Sequence, residues 1–564
     1  MIRIFKKSRK KSRMIDPDEI FLDSKNIPGF NVQQFEGLIE KPISKKTFFW
    51  FSGFLIFAGI LIVGRIYFLQ IQKGDYFFKR SEMNNLRSQP LFSGRGIIYD
   101  RNKVELAWND EVKSFYDWPA RMYESPGFSH LLGYVSYPAK DSSGYYWQKD
   151  FNGKDGIEKM YDLKLKGETG SKIIEVDALG KVQSENIIEL PKDGENILLS
   201  IDSRIQKELY RFIKSIADSQ NYRGGTGILM DIESGEIIAL TNYPEYDSAI
   251  LSSGSDPKII SGYFTDSRKV FLNRAISGLY SPGSIVKPFF ALGALNEKII
   301  DPAKEIFSSG ELVLPNPYNP KNPTIFKDWR ANGWTDMRMA IAVSSDVYFY
   351  QIGGGFGSQK GLGILNIEKY SRMFGIGEKT GIIFSNEVAG VIPSPEWKLK
   401  NFAGDPWRIG DTYHTAIGQY GFQVTPIQMV RATATIANGG TMLTPTILLK
   451  DPNIPNSVEN SKIDIPISFF NIVKEGMRQG VTEGTGSSLK VPYVEIATKT
   501  GTAQLGVSNS RLNSWIIGFF PYNNPRYAFT FLLDNGPSSN SNGATTLARS
   551  LFDWMSINTP EYFK

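Results

Sequence analysis

Cysteine is absent from this 564-residue chain, and histidine occurs only at His130 and His414. Without cysteine the chain forms no disulfides, which agrees with an exported protein that folds without them. Two histidines and no cysteine also leave little material for a zinc site, so we predict no metal and no cofactor. A Ser-His-Asp hydrolase is disfavoured as well, because the chain has no Gly-x-Ser-x-Gly motif.

The body of the chain also lacks an excess of charge of either sign. The formal net charge is +6, but residues 1–13 contain seven Lys and Arg and no acid. Residues 14–564 therefore carry 57 bases against 58 acids. A neutral body does not provide the basic face that nucleic-acid recognition requires, and we predict no nucleic-acid partner.

One long uncharged run stands near the N-terminus, "TFFWFSGFLIFAGILIVG" at residues 47–64. As a helix it would be about 27 Å long, close to the hydrocarbon thickness of a bilayer. A cleaved signal peptide is the competing interpretation, but the run is too long and no small-x-small cleavage site follows it. We expect an uncleaved single-pass anchor over residues 47–70. The basic residues before it predict a cytoplasmic tail at 1–46 and export of everything beyond about residue 70.

The exported part divides into two regions by its sequence texture. Residues 71–195 mix short alternating runs with glycine and proline turns and predict a small α+β domain. From residue 196 to 564, strands such as "NILLSID", "GTGILMDI" and "GEIIALTN" come first, helical periods follow, and three strands end the chain. Strands at both ends with helices between them predict one antiparallel sheet with helical layers.

The stretch "LYSPGSIVKPFF", residues 279–290, contains a Ser-x-x-Lys pair, Ser284 and Lys287. Pro288 is tolerated in a helix only near its first turn, so a helix must begin close to Ser284. Spacing i to i+3 then puts both side chains on one face, where the helix dipole favours an alkoxide. With histidine scarce, we predict that Lys287 is the base for a Ser284 nucleophile. The other Ser-x-x-Lys pairs, which begin at Ser8, Ser255 and Ser487, lack such a helix start.

Two further motifs accompany this pair. Ser344-Ser345-Asp346 follows a helical period, with Asp in place of the commoner Asn of a Ser-x-Asn motif. Lys-Thr-Gly occurs at Lys379, in a glycine-bounded loop, and at Lys499, within a strand pattern. Chemistry requires the strand, because an edge strand can pair with an extended peptide.

On that strand we predict substrate-binding residues from Lys499 to Thr502. Thr500 and Thr502 can hold a terminal carboxylate, Lys499 supplies positive potential, and Gly501 leaves room for close approach. Backbone N–H groups of Ser284 and Thr502 would form an oxyanion hole.

With these motifs the chain resembles the class B (monofunctional) penicillin-binding proteins over about residues 65–550. Segments similar to the family include "GRGIIYDRN", "RAISGLYSPGSIVKP", "VSSDVYFYQIG", "ANGGTMLTP" and "TKTGTAQ". "GDTYHTAIGQYGFQVTPIQM" and the Ser-x-Asp motif look most like the elongation-specific group, penicillin-binding protein 2. The resemblance implies a penicillin-binding/β-lactamase-like transpeptidase domain, preceded by a transmembrane helix and an α+β pedestal or dimerisation domain.

The resemblance also implies an activity: a serine-type D,D-transpeptidase that crosslinks peptidoglycan stem peptides and is a target of β-lactams. Ser284 would attack D-alanyl-D-alanine and Lys287 would take its proton. Ser344 would relay that proton, Asp346 would order Lys287 and the substrate amide, and Lys499–Thr502 would bind the substrate.

Partners implied by the family are a SEDS-type (RodA-like) glycosyltransferase and elongation-complex proteins at the inner cell membrane. The roughly 125 residues between span and catalytic domain are short for a glycosyltransferase domain, so that activity is expected in trans. Some elongation enzymes have a metal site of His, Cys and acids, but residues 289–343 contain neither His nor Cys. Asn513-Ser514 stands where His-Ala is frequent and is expected to alter the pocket rim.

Several alternatives of the same fold remain at this point. A β-lactamase needs a base for deacylation, and "EWKLKN", Glu396–Asn401, only nearly matches one such motif. A D,D-carboxypeptidase would pass the acyl group to water, and a division-type transpeptidase would share the chemistry. From a different class, the chain could be an inactive scaffold or β-lactam sensor, although all three catalytic motifs are present.

Overall fold

The computed structural model describes residues 44–110, 118–142, 144–176, 182–316, 319–450, 461–506, 508–540 and 542–564. The predicted cytoplasmic tail therefore lies almost entirely outside the described residues. The chain divides into two compact units. Of the described residues, one unit comprises 44–87, 175–176 and 182–183, and the other comprises 88–174 and 184–564.

The α-helices are numbered in chain order: α1 Lys45–Tyr67, α2 Gly74–Asn85, α3 Ser129–Leu132, α4 Gly156–Met160, α5 Asp162–Leu165, α6 Ser203–Ser219, α7 Ser248–Ser253, α8 Pro257–Thr265, α9 Lys287–Asn296, α10 Met337–Ala342, α11 Asp346–Gly354, α12 Gly363–Met373, α13 Pro395–Asn401, α14 Ile409–Ala416, α15 Pro426–Ala437, α16 Ile467–Thr482 and α17 Ala544–Asn558.

The strands are numbered likewise: β1 Leu86–Leu91, β2 Ile98–Tyr99, β3 Glu105–Asp110, β4 Ala120–Tyr123, β5 Val135–Ser136, β6 Ala139–Lys140, β7 Tyr146–Gln148, β8 Asn152–Gly153, β9 Gly170–Val176, β10 Val182–Glu189, β11 Ile197–Leu198, β12 Gly224–Asp231, β13 Ile237–Tyr243, β14 Ile306–Ser308, β15 Glu311–Leu314, β16 Thr324–Lys327, β17 Gly333–Thr335, β18 Thr441–Met442, β19 Ser461–Lys462, β20 Ala497–Leu505, β21 Arg511–Phe520 and β22 Tyr527–Pro537.

The smaller unit contains the apolar helix α1. Ser44 caps its N-terminus by accepting a hydrogen bond from the backbone N–H of Thr47 at 3.2 Å. A π-helical turn, Phe68–Gln72, continues it, and none of its residues is buried. The stretch Lys45–Gln72 is long and apolar enough to cross a membrane. Exposed apolar side chains along the whole helix are what a lipid environment accommodates.

In the larger unit, the N-terminal part is built around a small sheet and a buried ion cluster. The sheet has the order β11-β2-β3-β4, with β11 parallel to β2. Glu158 accepts charge-assisted hydrogen bonds from Arg95 Nε at 2.5 Å and Arg121 Nε at 2.8 Å, and all three side chains are fully buried. Arg95 also donates to Asp162 Oδ1 at 2.7 Å, so two carboxylates balance the two arginines, which makes their burial tolerable.

The rest of the larger unit is organised by a five-stranded antiparallel sheet of order β13-β12-β22-β21-β20. Successive side chains of β12 enter opposite cores: Ile228 and Met230 pack in one cluster, and Leu229 packs in another with α6 and α17. Helices α15 and α16 cover the other face. Successive side chains of a strand point to opposite faces of the sheet, so a strand between two helical layers buries its side chains on both faces.

The predicted sheet closed by both ends of the region is confirmed, with one correction. "NILLSID" was grouped with the strands of the catalytic region, but its strand β11 pairs with β2 of the four-stranded sheet. A two-residue parallel pairing has no local sequence signal, because its partner lies about a hundred residues earlier. The pattern of "GKDGIEKMYDLKLKGETG", residues 153–170, predicts one helix between glycine turns, but the structure forms two short helices there, α4 and α5.

Candidate active site

Ser284 lies in a 3-10 turn, Gly283–Val286, that leads directly into α9. The turn follows Pro282, and α9 begins at Lys287 with Pro288 in its first turn, which confirms the predicted helix start. Gly283 has φ of 57°, a conformation that L side chains rarely adopt. Ser284 is half-buried, whereas Lys287 has no exposed surface.

The Ser-x-Asp motif lies in the turn between α10 and α11. Ser345 caps α11 by accepting a hydrogen bond from Tyr348 N at 3.3 Å. Lys287 Nζ donates to the Ser344 carbonyl at 2.8 Å, lies 3.3 Å from Ser344 Oγ, and is 2.6 Å from Asp346 Oδ1. The structure therefore brings the side chains of the first two motifs into direct contact.

The third motif lies on β20, at the end of the strand order of the five-stranded sheet. Thr500 and Thr502 share one face of the strand, and Thr500 Oγ1 is 2.6 Å from Thr485 Oγ1. Gly501 faces the Ser284 turn: a Cβ there would lie 2.8 Å from Ile285 Cγ2 and 3.0 Å from the Pro282 carbonyl. Only glycine permits this approach of strand and turn.

A cleft of about 440 Å³ joins the three motifs. Ser284, Ser344, Asp346, Thr500 and Thr502 line it, whereas Lys287, Lys499 and Gly501 lie behind its wall. Nine further residues line the cleft: Tyr222, Trp329, Thr485, Leu512, Ser514, Asn540, Gly543, Thr545 and Thr546. Of these only Ser514 was expected from the sequence, at the rim.

Comparison with known proteins agrees with this geometry. A family model described as "Penicillin binding protein transpeptidase domain" matches residues 225–553, more than half of the chain. The chain belongs to the penicillin-binding protein transpeptidase family. A second model, "Penicillin-binding Protein dimerisation domain", matches residues 114–199. The predicted α+β fold class, a transpeptidase domain after a dimerisation domain and an apolar helix, is confirmed.

Similar penicillin-binding proteins are known by sequence and by structure. The chain is 29% identical to "Peptidoglycan D,D-transpeptidase MrdA" of Acinetobacter baumannii, covering 91% of this chain and 88% of that protein. The MrdA protein of Escherichia coli K12 is 28% identical, with coverages of 89% and 92%. A Helicobacter pylori PBP2 structure, solved in complex with MreC, superposes with a TM-score of 0.68 at 27% identity, covering 84% and 99%.

Burial shifts the ionisation of two charged groups in this penicillin-binding protein. Burial raises the pKa of Asp346, although the neighbouring Lys287 acts in the opposite direction. Burial also holds the pKa of Lys499 well below its usual value, and the charge of Lys287 lowers it further. Among the described residues, Lys499 Nζ donates one hydrogen bond, to the Thr500 carbonyl at 2.8 Å. Burial and the charge of Lys287 therefore both disfavour the protonated form of Lys499, which would supply the expected positive potential, in the free site.

The other sequence matches lie away from the cleft or outside the described residues. Lys379 is in a loop, as predicted, and Ser255 lies between α7 and α8. Ser255 directly precedes Asp256, the N-cap of α8, so the prediction that it lacks a helix start is wrong. Ser487 begins a three-residue 3-10 turn that no α-helix continues. Its side chain and that of Lys490 are exposed. Ser8 lies outside the described residues.

The remaining predicted features lie on the surface, at the cleft rim or, for Asn513, in the interior. Glu396 is exposed at the start of α13 and is not part of the cleft lining. Ser514 lines the cleft, and its Oγ accepts a hydrogen bond from Ala544 N at 2.9 Å, whereas Asn513 is buried. Within the parts of the chain that the structure describes, no group of three or more His, Cys, Asp or Glu could hold a metal ion.

Proposed function

We propose that this chain is a peptidoglycan D,D-transpeptidase of cell-wall elongation that works through a serine acyl-enzyme. The observation that carries the proposal is the meeting of Lys287 with Ser344 and Asp346 behind a cleft into which Ser284 opens. The MrdA proteins, which this chain matches over nearly their full length, bear the name of this activity.

Acylation begins when Ser284 Oγ attacks the carbonyl between the two terminal D-alanines of a stem peptide. The serine proton passes to Lys287 and then, through the Ser344 hydroxyl, to the nitrogen of the leaving D-alanine. An ester to Ser284 forms as the C–N bond breaks. In the second half, an amine of a neighbouring stem attacks the ester, the peptide crosslink forms, and Ser284 regains its proton.

Lys287 must be a neutral amine when it accepts the serine proton. Its partner Asp346 is half-buried at the cleft wall, and desolvation there raises the pKa of the Asp346 carboxyl. Asp346 accepts a hydrogen bond from Lys287 Nζ at 2.6 Å and thereby orients the amine beside the Ser344 hydroxyl.

Strand β20 binds the substrate in this proposal. The extended stem peptide pairs with the strand, and Thr500 and Thr502 hold the terminal carboxylate with Lys499 behind them. Backbone N–H groups of Ser284 and Thr502 stabilise the oxyanion. A β-lactam, which carries a reactive amide and a carboxylate, fits the same groups and acylates Ser284.

The basic tail and α1 together predict a single-pass anchor, with the N-terminus in the cytoplasm and the catalytic part outside. Domain limits of 1–46, 47–70, 71–195 and 196–564 belong to this proposal. Partners are a RodA-like SEDS glycosyltransferase and elongation-complex proteins. A PBP2 of H. pylori solved with MreC supports a partner of that kind.

Intact mass of the full-length protein in detergent, mixed with benzylpenicillin and followed over hours, tests the proposal. A stable penicilloyl adduct is expected on the wild type and on Ser487→Ala, the matched control at an exposed Ser-x-x-Lys pair, and none on Ser284→Ala. An adduct that disappears within seconds would indicate a β-lactamase. Absence of an adduct on the wild type would favour an inactive scaffold.

A further inference from the structure

A carboxylate outside the three motifs, Asp328, connects a peripheral lobe to the active-site turn. The hairpin lobe consists of β14 to β17, with β14 paired to β17 and β15 to β16. Asp328 follows β16 and is 9% exposed. Its Oδ2 accepts hydrogen bonds from two residues of this lobe region, Ser308 Oγ at 3.0 Å and Asn332 Nδ2 at 3.1 Å.

The same oxygen also accepts two hydrogen bonds from the Ser-x-Asp turn. Ser345 Oγ donates at 3.0 Å and Val347 N donates at 3.1 Å. Ser345 is fully buried and caps α11 through Tyr348 N. Asp328 therefore orients the residue between Ser344 and Asp346 and the first backbone N–H after Asp346.

The turn that Asp328 contacts has an unusual backbone. Ser344 has φ of 61°, which costs a non-glycine residue on the order of 1 kcal/mol and persists only where neighbours hold it. Asp328 Oδ1 accepts from Trp329 N at 2.9 Å, and Trp329 Nε1 donates to the Val343 carbonyl at 3.1 Å. Asp328 Oδ2 thus contacts the turn directly after Ser344, and Oδ1 contacts it through Trp329 at the residue before Ser344.

We infer that Asp328 is a positioning residue for acylation, which holds Ser344 and Asp346 where both contact Lys287. An ionised carboxylate accepts only, so it suits a site where five donors converge. Within the described residues Asp328 forms no ion pair, and its charge is met by neutral donors alone. The inference rests on the proposed function and adds a residue that does not touch the substrate.

A simpler alternative is that Asp328 only stabilises the hairpin lobe. That alternative predicts a lower unfolding temperature with an unchanged reaction in the molecules that remain folded. Positioning predicts instead a loss in the limiting acylation rate, k2, with little change in the apparent dissociation constant, K. The two differ because Lys287 and its partners act in the chemical step rather than in carboxylate recognition.

The test measures k2 and K for a fluorescent penicillin on the full-length protein in detergent, counting only folded molecules. Asp328→Ala is expected to lower k2 by about 100-fold, the cost of a misplacement of about 1 Å, with K within about threefold. Asp328→Asn keeps an acceptor oxygen, and is expected to lose less than about tenfold. Asp336→Ala is the matched control, because Asp336 caps α10 and does not contact Asp328.

Ser345→Ala provides a second route if Asp328→Ala does not fold. Asp328 acts through Ser345 in this inference, so the double variant Asp328→Asn/Ser345→Ala should lose less than the product of the single losses. A k2 for Asp328→Ala within twofold of that for Asp336→Ala, or strictly multiplicative losses in the double variant, would overturn the inference. A wild type that is never acylated would overturn the proposed function instead.

Discussion

Lys287 Nζ and Asp346 Oδ1 lie 2.6 Å apart, and the lysine side chain has no exposed surface. Removing one partner of such a pair leaves the other buried without compensation, which costs more than replacing both. Lys287 therefore requires a hydrogen-bond acceptor at position 346. A negative charge on that acceptor would be a second, separate requirement.

Substitution at Asp346 separates these two requirements. Asp346→Asn keeps an acceptor oxygen for Lys287, and we expect acylation by benzylpenicillin to stay within about tenfold of the wild type. Asp346→Leu leaves Lys287 without that partner and should lower acylation at least about 100-fold, with destabilisation of about 3 kcal/mol or more. Acylation rates and thermal unfolding of both variants check this. Equal losses in the two variants would show that the charge itself is required.

Gly501→Ala tests the approach of β20 to the Ser284 turn. The new Cβ would lie 2.8 Å from Ile285 Cγ2 and 3.0 Å from the Pro282 carbonyl, so strand and turn must separate. Such overpacking costs about 1 to 3 kcal/mol, and we expect acylation to fall at least about tenfold. Gly262→Ala is the control, because its Cβ meets nothing within 4 Å. Wild-type acylation in Gly501→Ala would contradict the close approach.

The main sheet and the start of the catalytic helix were predictable because their signals are local. Short apolar runs rich in aromatic and branched residues along β12, β21 and β22 indicate buried strands, and Pro288 sets where α9 can begin. Strand β11 was assigned to the wrong sheet, because its pairing with β2 depends on the tertiary fold. Local patterns identify elements more reliably than they identify partners.

Asp328 and the burial of Lys499 could not be read from the sequence for a related reason. Asp328 collects donors from β14, from the loop before β17 and from the turn before α11, which are distant in the chain. Lys499 was expected to supply positive potential, and its motif gives no sign that Lys287 lies close enough to lower its pKa. Side-chain burial follows from packing that no short motif encodes.

The depressed pKa of Lys499 predicts a pH dependence of ligand binding. A bound carboxylate favours the protonated amine, so binding takes up a proton once the pH exceeds the pKa of free Lys499. We expect the dissociation constant K for benzylpenicillin to increase as the pH rises above the pKa of free Lys499, which lies well below the usual value for a lysine. Its methyl ester, which lacks the carboxylate, should show no such trend. The two pH profiles, measured on the same protein, check this, and parallel profiles would argue against Lys499 as the carboxylate's counter-charge.

A buried histidine, His130, and a half-buried glutamate, Glu245, predict opposing effects of acid on stability. Burial lowers the pKa of His130 to about 3, and the charge of Arg274 adds to this. Burial raises the pKa of Glu245 to about 7, although its carboxylate accepts hydrogen bonds from Gly127 N and Ser129 N.

The sign follows from proton counting. From pH 6.5 down to about 3 the unfolded state binds the His130 proton and the folded state does not, so stability is lost as the pH falls. From pH 7 down to about 4.5 the folded state binds the Glu245 proton first, so stability is gained. Each slope reaches roughly 1.4 kcal/mol per pH unit, and the two nearly cancel where they overlap.

Single substitutions should expose each slope. Glu245→Gln removes the gain, so its thermal unfolding midpoint should fall relative to the wild type as the pH is lowered from 6.5 to 4.5. His130→Gln removes the loss, and its midpoint should rise relative to the wild type over the same range. The double variant should again follow the wild-type trend, because both contributions are gone. Midpoint differences that do not change with pH in either single variant would mean that neither group titrates differently on folding.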